Sequence, residues 1–334
     1  MAKLIDEIQL AWASIQITEC SLGWSAVAIL PSYPGRFKAG RNSPTNCEAI
    51  LTSFRASAIS PTEKLPAGLG FRVARVDDDQ DGMTWLALTR STDGNLELFL
   101  SMVSDVLNAL AANINGDHFS ESRIFLGRIR AWQEFMKKGA NPLSAEQEVG
   151  LIGELIVLEQ ILNSGAPPEH TIHAWNGPLD GLRDFEFGYG AVEVKTTIAS
   201  QGFTAKISSL EQLDDSSCKP IFLCAVKCLV TDNGVTLTEK IAALRASLKS
   251  NPITLSDFDD RTVAAGYIEE HFFQYHRKFS AREVLTFEVD ENFPRLTRSN
   301  VMTGVLGAQY EINIESLRKH DIGLTLALKR LEMI

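Results

Sequence analysis

Residues 184–197 read Asp-Phe-Glu-Phe-Gly-Tyr-Gly-Ala-Val-Glu-Val-Lys-Thr-Thr and carry the strongest signal for the fold. Side chains alternate between the two faces of a β-strand, so Glu193 and Lys195 share one face while the neighbouring valines take the buried side. The glycine-flanked turn at 188–190 favours a β-hairpin with the preceding strand. We therefore expect the hairpin to bring Asp184 close to Glu193 and Lys195.

Two carboxylates beside an amine form a group suited to metal-dependent hydrolysis of phosphodiesters. Carboxylate oxygens bind hard divalent cations such as Mg²⁺, which polarise a phosphate and lower the pKa of bound water. The ammonium of Lys195 can hold the attacking water and add positive charge. An acid-x-Lys tripeptide alone is weak evidence, because chance gives about two in a chain with 42 acidic residues. The tripeptide lies on a valine-lined strand that follows an acid-bearing strand, and this context favours a functional motif over a chance match.

An apolar helix precedes the hairpin. Ser144 followed three residues later by Gln147 is a capping-box signature for a helix that reaches about Leu162. Within this helix Glu154 is flanked by isoleucine and leucine residues, which predicts a semi-buried position. Because the same helix carries other glutamates, a solvent-facing Glu154 is the alternative.

The remaining sequence divides the chain into three parts. Residues 23–88 alternate short apolar runs with turn-rich clusters, which predicts a β-rich domain over 1–115. Helical spacing with several basic residues indicates a helical linker over 116–140. Residues 141–334 then form the domain that carries the hairpin, with a C-terminal extension that includes a helical pattern at 317–331.

On these segments the chain resembles the PD-(D/E)XK nuclease superfamily, and more closely a bacterial group of uncharacterised PD-(D/E)XK motif proteins associated with restriction-like defence systems. The similarity spans roughly residues 144–317. The segments that carry it are the helix at 150–158, Trp175-Asn-Gly-Pro with Asp184-Phe, Glu193-Val-Lys-Thr, a following helix over 207–213, and Phe293-Pro-Arg-Leu.

The sequence departs from the family pattern at one position. Arg183 stands before Asp184, where the motif has proline, and Pro178-Leu-Asp180 offers a rival for the first acid. We prefer Asp184 because it begins a strand, whereas Asp180 lies among turn residues.

The resemblance implies an α/β (α+β) fold: a restriction-endonuclease-like core whose mixed central sheet is flanked by helices, preceded by a β-rich N-terminal domain. It implies catalytic roles for Asp184, Glu193, Lys195 and Glu154, with the three acids as ligands of Mg²⁺, for which Mn²⁺ can substitute. The candidate substrate-binding residues are Gln212, Arg277 and Lys278.

The implied activity is that of a DNA endonuclease in restriction or phage defence. Its expected partners are DNA, a second copy in a homodimer, and partner proteins of a defence system. A non-catalytic DNA- or protein-binding subunit that keeps the nuclease fold is the alternative. A structural protein with a chance Glu-Val-Lys strand is a third reading, and it predicts that Asp184 and Glu193 diverge in space.

The amino-acid composition of the chain excludes several classes of function. A net charge of −10 and a pI near 5.2 argue against a protein that coats nucleic acid, so any DNA contact requires a local basic surface. No apolar run approaches the roughly 20 residues that cross a bilayer, and the chain does not begin with a signal-peptide core. We therefore expect a cytoplasmic protein with no membrane partner.

Five cysteines without a CxxC pair indicate buried free thiols. Zinc-hydrolase, serine-hydrolase and P-loop motifs are absent from the sequence.

Overall fold

The computed structural model describes residues 2–15, 23–76, 82–114, 117–188 and 190–334. The chain divides into two compact units, Met1–Ala140 and Asn141–Ile334. Tyr189 of the predicted turn and Cys20 lie outside the described residues.

The first unit is built on one antiparallel sheet with strand order β1-β2-β3-β6-β5-β4. Strand β3 lies inside the sheet and is buried along almost its whole length, including its central Ala-Ile-Leu run. The elements of this unit are α1 (Ala2–Ser14), β1 (Gly23–Ala28), β2 (Phe37–Ser43), β3 (Glu48–Arg55), β4 (Ala67–Gly68), β5 (Phe71–Val76), β6 (Met83–Arg90), α2 (Leu96–Ala111) and α3 (His118–Lys137).

The basic helix α3 falls in the segment predicted as a linker. It begins where the Asp117 side chain accepts a hydrogen bond from the Ser120 backbone N–H. Its apolar side, which includes Phe125 and Trp132, is buried, and the helix packs against α2 and β3. In the structure α3 is therefore an integral element of the first unit.

The second unit contains a mixed four-stranded sheet with helices around it, in agreement with the predicted α/β class. The strand order is β11-β10-β8-β7; β8 and β10 are parallel, and the other two pairs are antiparallel. Strands β9 and β12 form a separate antiparallel ribbon. The elements are α4 (Ala145–Asn163), α5 (Pro168–Ala174), β7 (Phe185–Phe187), β8 (Gly190–Thr197), β9 (Thr204–Ile207), β10 (Ile221–Val235), α6 (Leu237–Leu248), α7 (Pro252–Ala265), β11 (Phe279–Glu288), β12 (Tyr310–Asn313) and α8 (Leu324–Arg330).

The two faces of the mixed sheet bury different cores. On one face Val192 and Val194 pack with side chains of α4, α6 and α8. On the other face Leu223 and Ala225, which pair in register with Glu193 and Lys195, pack with the β9–β12 ribbon. The acid and the amine of β8 therefore point toward the ribbon face, because side chains alternate along a strand.

Two helical segments differ from the sequence-based expectation. The pattern at 317–331 is not one helix: the 3₁₀ segment Ile314–His320 ends at Asp321, whose backbone is extended, and α8 begins only after Gly323, whose φ is 72°. Helix α7 was not predicted, although its start carries a capping Asn251 and a first-turn Pro252 and its end carries Gly266.

In the described part of the chain, no helix is long and apolar enough to cross a membrane. The cysteines that the structure describes are free thiols; Cys47, Cys224 and Cys228 are buried and Cys218 is partly exposed.

Candidate active site

The β7–β8 hairpin sets Asp184 opposite Glu193. Phe185 pairs with Val192 in the antiparallel register, so the next pair outward is Asp184 and Glu193, with both side chains on the same face. The Val194 backbone N–H donates a hydrogen bond of 2.7 Å to Asp184 Oδ2. The divergence of the two acids that a chance tripeptide predicts is therefore not observed.

Lys195 and Glu193 form a close ion pair on β8. The distance from Lys195 Nζ to Glu193 Oε1 is 2.6 Å. Glu193 is almost fully buried, whereas 18% of the Lys195 side chain is exposed, so the amine is the member that solvent can reach. Glu193 Oε2 is buried and has no hydrogen-bond partner among the described residues, an arrangement that costs free energy.

Helix α4 brings the third acid, and a glycine allows its approach. The Ser144–Gln147 capping box that starts the helix is present. A Cβ at Gly153 would lie 1.7 Å from Thr196 Oγ1, so only glycine lets the helix lie this close to β8. The next residue, Glu154, is half-buried and reaches the hairpin.

A loop after α5 closes the cluster. The backbone N–H groups of Asn176 and Gly177 donate to the Asp184 carbonyl at 2.8 and 3.1 Å. A Cβ at Gly177 would lie 2.7 Å from Glu154 Oε2 and 2.8 Å from Asp184 Oδ1. These two oxygens are therefore no more than about 5.5 Å apart, close enough to approach a common cation.

Burial disfavours ionisation of all three carboxylates and raises their pKa values, and the charge of Asp184 adds to this effect on Glu193 and Glu154. Burial raises the pKa of Glu193 to about 8; the nearby Asp184 carboxylate adds to the shift and Lys195 opposes it. Burial and the Asp184 charge raise the pKa of Glu154 well above its ordinary value, and burial raises the pKa of Asp184 despite Lys195. Raised pKa values in three neighbouring acids indicate excess negative charge in a desolvated space.

Lys195 remains the cation of the group. Burial lowers its pKa, but the charges of Glu193, Asp184 and Glu154 together, with the hydrogen bond to Glu193, raise the pKa above its ordinary value. With all three acids ionised, the group would carry a formal charge of about −2, which one divalent cation would cancel.

The donor set fits a divalent cation held by few protein ligands. Within the described ranges, no three His, Cys, Asp or Glu side chains meet as a ready-made metal cage. Mg²⁺ commonly binds through one or two carboxylates, keeps several waters and takes further ligands from substrate phosphates. The unpartnered Glu193 Oε2 and the converging oxygens of Asp184 and Glu154 suit that mode.

The rival first acid lies elsewhere in the same loop. Asp180 is exposed and has a φ of 57° at the end of the 3₁₀ turn Gly177–Leu179. The bond from Val194 N–H goes to Asp184, so the hairpin geometry favours Asp184 over Asp180.

The helix predicted over 207–213 is wrong. Strand β9 ends at Ile207 and the chain continues as irregular backbone. Ile207, Leu210 and Leu213 are all fully buried, and their three-residue spacing imitates a helical pattern. The Gln212 side chain accepts a hydrogen bond of 2.9 Å from the Ser208 N–H and closes a local turn; its role in substrate binding stays a prediction.

Arg183, the residue in the place of the motif proline, supports this irregular segment. Its buried guanidinium donates to the backbone carbonyls of Glu211, Gln212 and Asp214. The neighbour of Asp184 thus ties the hairpin to residues 211–214.

Arg277 and Lys278 form their contacts away from the candidate-site carboxylates. Arg277 donates to Glu148 Oε2 at 2.8 Å near the start of α4, and Glu148 lies about 9 Å along the helix axis from Glu154. Lys278 Nζ lies 3.5 Å from the Asp232 carbonyl. Contact of either residue with substrate stays a prediction.

Sequence reasoning did not assign roles to four residues that shape the cluster: Gly153, Trp175, Gly177 and Thr196. The Trp175 indole N–H donates a hydrogen bond of 2.7 Å to Glu154 Oε2. Glycine inside an apolar helix and the Asn-Gly-Pro turn were usable signals of close approach. The partner of Trp175 depends on tertiary contact and left no local signal.

Comparison with known proteins identifies one family. A family model described as "Putative PD-(D/E)XK family member, (DUF4420)" matches residues 8–315. No curated protein and no solved structure matches the chain.

Proposed function

Because the chain belongs to the DUF4420 family of PD-(D/E)XK proteins, we propose that it is a Mg²⁺-dependent DNA endonuclease acting in restriction or phage defence. The superfamily consists largely of nucleases, which supports hydrolysis of a DNA phosphodiester. In this proposal Asp184, Glu193 and Glu154 form the metal site and Lys195 is the catalytic amine.

One observation carries the proposal: the amine and the acids meet at one place on the sheet. Lys195 Nζ lies 2.6 Å from Glu193, Asp184 sits opposite Glu193, and Glu154 approaches Asp184 over Gly177. An isolated ion pair on a strand would need neither the third acid nor the glycine between the carboxylates. Clusters of acids with strongly shifted pKa values are enriched at active sites.

In this proposal the acids bind the metal ion and the lysine acts on the water or the phosphate. When bound, Mg²⁺ supplies Lewis acidity to the scissile phosphate and neutralises developing charge. Asp184, Glu193 and Glu154 would hold that ion. Lys195, whose side chain is 18% exposed, donates a hydrogen bond from Nζ to the attacking water or to a phosphate oxygen as negative charge develops.

DNA cleavage by purified protein tests the proposal. Supercoiled, linear and single-stranded DNA are incubated with Mg²⁺ or Mn²⁺, and the cleavage rates of wild type, Asp184→Asn and Lys195→Ala are compared. We expect cleavage by wild type and a loss of about a hundredfold or more in each variant. Asp180→Asn, an exposed acid of the same loop, is the matched control and should cleave at the wild-type rate.

A wild-type protein that leaves every DNA intact, with no difference from Lys195→Ala, would overturn the nuclease assignment. Metal-independent retention of DNA in that experiment would instead support the non-catalytic binding subunit. A rate lost in Asp180→Asn but kept in Asp184→Asn would move the first acid to Asp180.

A further inference from the structure

Trp175 is a fixed point beside the candidate site. The side chain is fully buried and stacks on Phe258 with ring centroids 5.9 Å apart. Its backbone forms a bridge to Phe185, and its carbonyl accepts a hydrogen bond of 2.8 Å from Arg261 Nε. Packing and backbone bonds together leave the indole little freedom to move.

The indole N–H selects one oxygen of Glu154. Trp175 Nε1 donates to Oε2 at 2.7 Å, and this same oxygen lies 2.7 Å from the Cβ position of Gly177, on the side of Asp184. A carboxylate oxygen has two lone-pair directions, so Oε2 can accept from the indole and still face a cation.

We propose that Trp175 is a positioning residue that holds Glu154 Oε2 toward the divalent cation of the site, an inference that rests on the proposed function. A half-buried glutamate on a helix surface can rotate about several bonds, and its rotation would carry the oxygen away from Asp184. Hydrogen bonds to ligating carboxylates orient them, and losing such a bond typically weakens metal affinity by about 10- to 100-fold.

Calorimetric titration with Mn²⁺ tests the inference in the full-length protein. We expect Trp175→Phe to bind Mn²⁺ about 10- to 100-fold more weakly than wild type. Trp132→Phe is the matched control: Trp132 is also fully buried and donates from Nε1 to Asp105 Oδ2 at 2.7 Å, in the other unit. It should keep wild-type Mn²⁺ affinity.

A double-mutant cycle separates orientation of Glu154 from a general loss of packing. If Trp175 acts through Glu154, Trp175→Phe should weaken Mn²⁺ binding in the wild-type background and have no further effect in Glu154→Ala. Equal weakening in both backgrounds would assign Trp175 a merely structural role and overturn the inference.

Nuclear magnetic resonance of ¹⁵N-labelled indole groups tests the inference with Trp175 unchanged, so it does not depend on whether a Trp175 variant folds. The indole signal of Trp175, assigned by elimination with Trp→Phe variants of the other four tryptophans, should shift on titration with diamagnetic Mg²⁺. The Trp132 signal should not shift.

The outcomes distinguish the two proposals. A wild type that binds Mn²⁺ while Trp175→Phe binds equally well, or a Trp175 signal unmoved at saturating Mg²⁺, overturns the positioning role and leaves the nuclease proposal standing. A wild type that binds neither ion overturns both.

Discussion

At the scale of single residues, Gly177 is a position of the candidate site where an added methyl group would meet two carboxylates. An alanine methyl there would lie within 2.8 Å of oxygens of both Glu154 and Asp184 and would force both carboxylates to move. We expect Gly177→Ala to lose Mn²⁺ binding in calorimetry and DNA cleavage in a gel assay.

The control for this substitution is Gly307→Ala, because no described atom lies within 4 Å of the Cβ position of Gly307. It should match wild type in both assays. Undiminished Mn²⁺ affinity in Gly177→Ala would show that the cation does not lie between Glu154 and Asp184.

Proton release should accompany cation binding. Because the pKa of Glu193 is raised to about 8, its carboxyl group takes up a proton as the pH falls below 8, and an incoming cation must displace that proton. The affinity for Mn²⁺ should therefore rise as the pH increases from 6 to 8, by up to about tenfold per pH unit for each displaced proton. Calorimetry in buffers of different ionisation enthalpy would count the protons, and equal affinity at pH 6 and pH 8 would contradict the prediction.

The sequence indicated the local part of the site and not its tertiary part. Glu193 and Lys195 share a face by strand periodicity, and the glycine turn placed Asp184 opposite them; both features follow from neighbouring residues. The contact from Trp175 to Glu154 joins residues 21 positions apart, and no local periodicity encodes it.

At the scale of elements, the approach of α4 to β8 decides where Glu154 lies. A Cβ at Gly153 would overlap Thr196 Oγ1 at 1.7 Å, whereas at Gly150 on the same helix it would meet no described atom within 4 Å. We expect Gly153→Ala to lower the free energy of unfolding by about 1–3 kcal/mol, because overpacking forces the helix outward.

The matched variant Gly150→Ala should be neutral or stabilise the helix by up to about 1 kcal/mol, since alanine is the better helix former. Urea unfolding of both variants measures the difference. Adding Thr196→Ala to Gly153→Ala should recover part of the loss, and equal stability of the two glycine variants would contradict the close packing.

Elements with strong local signals were predictable, and elements shaped by distant contacts were not. Helix α4, for example, starts at its predicted capping box. The segment after β9 was misread because Ile207, Leu210 and Leu213 are buried through tertiary contacts that happen to repeat every third residue. Arg183, which donates to three carbonyls there, stabilises this irregular backbone from another strand.

At the scale of the whole molecule, every group of the candidate site belongs to one compact unit. Glu154, Asp184, Glu193 and Lys195 lie within Asn141–Ile334, as do the apolar cores on both faces of the mixed sheet. We expect a fragment of residues 141–334 to fold and to bind Mn²⁺ with an affinity within about threefold of the full chain. Circular dichroism and calorimetry would test this, and a folded fragment without Mn²⁺ affinity would contradict it.

The buried Oε2 of Glu193 has no hydrogen-bond partner among the described residues, so a cation that binds it would raise the melting temperature of the protein. A ligand that binds only the folded chain raises its stability by about 2.7 kcal/mol when its concentration is a hundred times its dissociation constant. Melting curves recorded with Mg²⁺, Mn²⁺ or Ca²⁺ would then rank the ions without any nucleic acid present. Thermal unfolding would thus identify the metal that the protein selects before any substrate is known.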